Sequence, residues 1–181
     1  MAQITRPNGA DTDGNWGTGP TPFGNLWDVT SDQSDGTYAQ LTTFGSSEFI
    51  VTLSGLTDPG VHTGHVIKMK AAMSSSSQNF TLKLYEGATQ RKSASHTVNS
   101  PTFTEYTTTL SEAEASAITD YTNLKVGVTA NYFGPDTKVS ELSFEVPDAS
   151  PPPPPPPPSA SSVDSIKLES ANFTFRGLAN L

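Results

Sequence analysis

The chain has 181 residues, 34% of them apolar, and carries 18 acidic against 10 basic side chains, a formal net charge of −8. That sign opposes binding to nucleic acid or to an anionic membrane, both of which need a basic face. The absence of cysteine removes disulfides, thiolate chemistry and cysteine–zinc sites, and no run approaches the roughly eighteen apolar residues of a membrane-spanning helix.

In chain order, the first residues, Met1 to Pro7, lack the apolar stretch of a secretory leader, so none is predicted. Ile4 is placed in a short first strand. Residues 6–36 are rich in Gly, Pro, Asp and Asn and read as loop. Arg6-Pro7-Asn8-Gly9 and Asp13-Gly14-Asn15 have turn chemistry, and Trp16, Phe23, Leu26 and Trp27 are expected to pack against the domain edge. From residue 37 the pattern turns to strands. Strands are predicted over 37–42, 48–54, where Phe49, Val51 and Leu53 share a face, and 65–73, with Ile67, Met69 and Ala71. Asp58-Pro59-Gly60 marks a turn between the last two. Residues 79–86 put Phe80, Leu82 and Leu84 on one face, Gly87-Ala88 turns the chain, and 89–98 reads as a polar edge strand.

Residues 103–110 are Thr-rich and suit a pleated surface. Ser111-Glu112-Ala113-Glu114 is a capping box and opens the one predicted helix, which ends near Thr119. Strands over 124–130 and 138–146 close the domain. This gives about eight or nine strands with one wet face each, hence antiparallel pairing and two sheets packed together. The predicted fold is an all-β antiparallel β-sandwich, jelly-roll-like, over residues 1–148. Residues 149–162 are a linker whose eight consecutive prolines, Pro151 to Pro158, fit neither helix nor sheet interior. They predict a polyproline rod of roughly 25 Å. Residues 163–181 form an extended C-terminal tail. Its Ile166, Leu168, Phe173, Phe175, Leu178 and Leu181 are too few to make a core and too apolar for a solvated end. They are assigned as an anchor on a partner surface or on another copy of the chain.

Several constellations offer chemistry. Asp11, Asp13 and Asn15 place oxygen ligands at alternate positions, as a calcium loop does, but lack the later glutamate of an EF-hand, and an ordinary turn explains them. His62, His65 and His96 are metal-ligand types with no third partner in view by spacing. Asp28, Asp32, Asp35, Glu112 and Glu114 are candidate acid–base carboxylates, yet nothing pairs two of them across a cleft, and turns and helix starts account for them. Trp16, Trp27, Tyr38, Tyr121 and Tyr132 would make a sugar-stacking platform if exposed and coplanar; packed inside, they are structural. No phosphate loop, nucleophile elbow or catalytic triad is present. No enzyme activity, metal or cofactor is predicted.

Three stretches carry a resemblance. Ile4-Thr5-Arg6-Pro7 with Asn15-Trp16 and Leu26-Trp27-Asp28 is the first. Leu56-Thr57-Asp58-Pro59-Gly60 with Thr63-Gly64-His65 is the second. The third is Leu110-Ser111-Glu112-Ala113-Glu114 with Ile118-Thr119-Asp120-Tyr121 and Leu124. Together they resemble small β-sandwich structural proteins of tailed bacteriophages. The resemblance implies a virion component assembled in the host cytoplasm, a capsid decoration or cement protein or a tail accessory. The expected partners are other virion proteins, the major capsid protein first, and copies of itself. A glycan- or host-surface-binding module of a tail or fibre is the alternative. The proline run and tail are not part of the resemblance.

Overall fold

The computed structural model describes residues 2–20, 24–43, 45–73, 77–132 and 137–148, with backbone alone at 10, 11, 131 and 132. The chain divides into two units, Met1–Ser150 and Pro151–Leu181, and the described residues belong to the first. The proline run and the proposed anchor therefore lie outside the described residues.

Eleven strands and two short helices follow in order: β1 Gln3–Thr5, β2 Pro7–Thr12, β3 Trp16–Gly19, α1 Leu26–Val29, β4 Tyr38–Leu41, β5 Gly45–Leu53, β6 Val66–Met73, β7 Gln78–Glu86, β8 Thr89–Val98, β9 Thr104–Thr109, α2 Glu112–Ser116, β10 Leu124–Tyr132 and β11 Thr137–Val146. One sheet has the order β3-β4-β11-β6-β9, with β1 also paired to β11, and the other β2-β5-β10-β7-β8. Every pairing is antiparallel. Apart from the in-sheet steps β3–β4 and β7–β8, each strand-to-strand connection passes from one sheet to the other, which lays the two sheets face to face as a β-sandwich.

Alternation explains which side of each strand is dry. Phe49, Val51 and Leu53 of β5, Phe80, Leu82 and Leu84 of β7, Val126 and Val128 of β10, and Leu142, Phe144 and Val146 of β11 are all buried in one continuous core. Each such side chain contributes roughly 1.5–3 kcal/mol. The core closes with residues up to Val146, and Ile4, 52% exposed, is the large hydrophobic left out among the described residues.

The fold departs from the sequence expectation at its start. Residues 6–36 were expected as loop, yet they hold β2, β3 and α1. Pro7 and Gly9 do not break β2 because it is an edge strand, where a missing N–H faces away from the sheet. Its ladder with β5 absorbs them by shifting register twice. Helix α1 is a single turn with no side-chain cap, held by burial of Leu26 and Val29; such a turn has no periodicity to read. Helix α2 is capped as expected. Ser111 accepts from the Glu114 N–H, and the Glu114 carboxylate accepts from Ser111 N. It stops at Ser116, short of Thr119, because the following backbone is tied to another strand.

Candidate functional site

The aromatic residues assigned to a sugar platform are not assembled into one. Trp16, on β3, is 6% exposed. Its ring packs edge-on against Phe49 at 4.7 Å, and its Nε1 donates to the Ser47 carbonyl. Tyr121 follows α2 in a 3-10 turn, Tyr121–Asn123, and is 4% exposed. Its hydroxyl lies 2.7 Å from Nε2 of His65. Both rings face the interior, so neither offers a stacking surface. Trp27, on α1, is half-buried against the core, and the Tyr132 side chain lies outside the described residues. Tyr38 differs: it alternates with the buried Ala39 and points out of the first sheet. Lys138 Nζ sits 4.9 Å from its ring centroid, and the half-buried Phe103 ring is 5.9 Å away.

The histidines are spread apart. His65 is fully buried against Tyr121 and Phe144. Its Nδ1 nears the Thr63 backbone without a well-formed hydrogen bond. Burial holds this imidazole below its ordinary 6.5 and drives the Tyr121 phenol up to about 12, with Asp58 and Glu86 adding to the rise. His96, on β8, bonds Thr108 Oγ1 on β9 at 2.7 Å and joins the two sheets at that edge; burial lowers it as well. His62 is exposed. No cluster of three metal-ligand side chains occurs among the described residues.

The candidate carboxylates are occupied structurally. Asp32 accepts from Ser34 N and from the Thr37 hydroxyl. Asp35 accepts from Lys70 Nζ at 2.7 Å and Ser140 Oγ at 2.8 Å. Burial alone would raise Asp35, but those two bonds outweigh it and hold the carboxyl below 3.8. Ser140 is the extra residue of a bulge in β11, so Asp35 fastens the loop before β4 to an irregularity in the sheet. Glu114 accepts from Lys92 Nζ as well as from its own cap, and both lower it. Asp28 and Glu112 are exposed. In the proposed calcium loop, Asp13 O accepts from Trp16 N, and Asn15 O accepts from Thr42 N and Thr42 Oγ1. The first closes a turn, and the other two tie Asn15 to Thr42, just past β4.

Two polar clusters escaped the sequence reading. Glu86 is 9% exposed. It pairs with Arg91 at 2.7 Å and accepts from Thr119 N, Thr119 Oγ1 and Asp120 N. Burial favours its neutral form, but these donors win and hold it below 4.5. The signal was available, since Glu86 keeps the parity of Phe80, Leu82 and Leu84 and so lies on the apolar face. The second cluster is on the outer face of the same sheet. Glu48 Oε1 accepts from Tyr85 Oη at 2.9 Å and meets Lys83 Nζ at 3.0 Å. Both contacts cross β10 at Gly127, where a Cβ would come within 2.8 Å of Glu48 Oε1. Burial, then the Glu48 charge, raises the Tyr85 phenol.

What remains for interaction is surface and edge. Among the described residues, five strands pair along one side only: β2, β3, β8 and β9 at the ends of the sheets, and β1, which spans only Gln3–Thr5 and pairs with β11 alone. Strand β2 carries Pro7 and two register shifts, β3 spans only Trp16–Gly19, and β8 has a register shift beside Arg91 and Lys92. Strand β9 pairs with β6 without interruption from Ala71↔Thr104 to Val66↔Thr109 and has no Pro or Gly.

No protein-family model matches the chain, and no curated protein sequence does. Among solved structures it is similar to a domain of tailspike protein 4 of bacteriophage CBA120, at 10% identity and TM-score 0.45, covering 79% of this chain and 19% of that one. It is also similar to the Stig cyclase Fisc of Fischerella sp. TAU, at 16% identity and TM-score 0.44, covering 77% and 88% of the two chains. A third is CBM35 of Paenibacillus barcinonensis, at 13% identity and TM-score 0.38, covering 83% and 99%. The chain spans about a fifth of the tailspike chain's length. The fold described above, an antiparallel β-sandwich, defines the class of the domain.

Proposed function

We propose that this chain is a non-enzymatic structural protein of a tailed-phage virion, a capsid decoration or cement protein. Its sandwich is the displayed head, residues 149–162 are the spacer, and residues 163–181 anchor it to neighbouring subunits. The observation that carries the reading is the self-sufficiency of the sandwich. Its core closes with residues up to Val146, and Ile4 is the large hydrophobic left exposed among the described residues. The six apolar side chains beyond the prolines are then available to a partner. Burial of each at roughly 1.5–3 kcal/mol would hold the head on a lattice, and repeated copies add avidity. Asp32, Asp35, Glu114, His65 and His96 are engaged in a cap, loop ties and core contacts, which supports a binding role over a catalytic one.

The test is a chain ending at Asp148. It is expected to fold with an unchanged melting temperature and to be lost from purified particles, whereas the full chain remains bound. Normal incorporation of the short form sinks the anchor.

A second reading, a glycan-binding module, is favoured by one feature, the outward Tyr38 with Lys138 over its ring and Phe103 beside it. Glycan-array signal lost on Tyr38→Ala would support it; an array without hits for the intact chain removes it.

A further inference from the structure

We propose that β9 is the seat of the anchor's first half: residues 165–170 of a second copy run along this edge as an antiparallel strand, 165–168 lying opposite Thr104–Thr107. The inference rests on the anchoring role given to the tail and names where it docks.

The choice of edge follows from how the open strands are finished, β1 being only three residues long. Natural sheets blunt an open edge with proline, bulges, short length or charge. Strands β2, β3 and β8 carry such devices, and α2 adds a tie to β8 through Lys92 and Glu114. The β9 edge carries none of them apart from Glu105. Its ladder with β6 is regular, and among the described residues no strand pairs with its far side. A regular open edge is what strand addition requires, since backbone hydrogen bonds supply the affinity and alternate side chains the register.

Charge sets the occupant and its register. On the outer face of this sheet Glu141 lies beside Lys70, and Lys70 beside Glu105. The row alternates in sign and ends on an acidic residue at the edge. The next strand should therefore bring a basic residue there, and opposite charges directly across a pair are favourable. In the tail, Ser165-Ile166-Lys167-Leu168-Glu169-Ser170 alternates as a strand does and offers Lys167. With Lys167 opposite Glu105 in antiparallel sense, Ile166 falls opposite Tyr106, a half-buried inward residue, and Leu168 opposite Thr104. Ser165 falls opposite Thr107. An aromatic facing a β-branched side chain is a favourable cross-strand pair.

The pairing is between copies. Strand β11 ends beside β6, and β6 beside β9, so the sandwich releases its chain two strands from β9, about 10 Å away. The donor is assigned to a second copy; a bond closed within one chain would instead leave a monomer.

The chain has no cysteine, so paired single substitutions report cleanly. Full-length Thr107→Cys and Ser165→Cys proteins, mixed at high concentration under mild oxidation, should yield the mixed disulfide dimer. Adding Glu105→Lys to the first should cut its yield about threefold to tenfold, and Lys167→Glu in the second should restore it. Thr97→Cys on β8 serves as the control edge. The proposal is overturned by homodimers alone, by equal cross-linking at Thr97, by indifference to the charge swap, or by a doubly substituted chain that closes its bond as a monomer. Loss of the 1–148 form from particles together with a failed cross-link would keep the anchor and reject β9 as its seat. Retention of that form would reject the anchor itself.

Discussion

His65 and Tyr121 form a polar pair inside an apolar core, and each is there at the expense of its charged form. A neutral imidazole is compatible with the contacts of Phe144 and Tyr121; an imidazolium is not. Its folded value is depressed from 6.5, so the unfolded chain binds the extra proton first. The stability contributed by neutral His65 is complete above pH 6.5 and drains away as pH falls from there through the lower folded value. His96 acts in the same direction. Urea midpoints measured between about pH 7.5 and 5.5 should fall for the native chain and fall less steeply for His65→Gln. At the alkaline end the sign reverses. Tyr121 stays protonated in the fold up to about 12, so its contribution is complete below its ordinary 10.0 and is lost as pH rises from there through about 12. Tyr121→Phe should remove this alkaline loss and, by leaving His65 Nε2 without its partner, cost about 1–3 kcal/mol near neutrality. Glu86→Ala strands the Thr119 and Asp120 amides and the Arg91 guanidinium together. Its expected cost is about 2–3 kcal/mol in chemical denaturation.

Among the elements, α2 spans only Glu112–Ser116, too short to stand on helix propensity. Its capping box satisfies donors at the N-terminus, and Glu114 doubles as the tie to Lys92 on β8. Ser111→Ala should therefore cost about 1 kcal/mol, read as a drop in melting temperature, and should loosen amide-exchange protection from 112 to 118 more than in the sheets. Strand β10 shows the converse dependence on an absent side chain. Gly127 lies under the contacts that Glu48 makes with Tyr85 and Lys83, and an added Cβ would also approach Tyr85 Cε2 at 2.9 Å. Gly127→Ala should break that bridge and cost roughly 1–2 kcal/mol, the range of modest overpacking. The strands were legible wherever alternation was strict, as in β5, β6 and β7. The first thirty-odd residues were not, because β2 and β3 keep Pro7, Gly9, Gly17 and Gly19 that read as turn formers and are tolerated only on edges.

As a whole, the molecule joins a sandwich with a closed core to a C-terminal stretch rich in apolar residues. The aromatic residues would make a binding platform only if exposed and coplanar, and their direction was not in the sequence. Trp16 turned inward because β3 lays it on Phe49, and Tyr121 because His65 gives its hydroxyl a partner. The removal of residues 149–181 is expected to leave the melting temperature of the sandwich unchanged while abolishing particle association, measured by co-sedimentation of the 1–148 form.

The sequence by itself determined the fold class, the dry face of most strands and the helix cap. Each of these depends on local rules: a period of two, a side chain reaching its own backbone. Tertiary structure alone decided which strands are edges, that Glu86 and His65 would be buried with partners, and that Gly127 would lie beneath a bridge. Those outcomes come from strands far apart in the chain being set side by side, and pairing across the sheet leaves no mark on the local pattern of either strand.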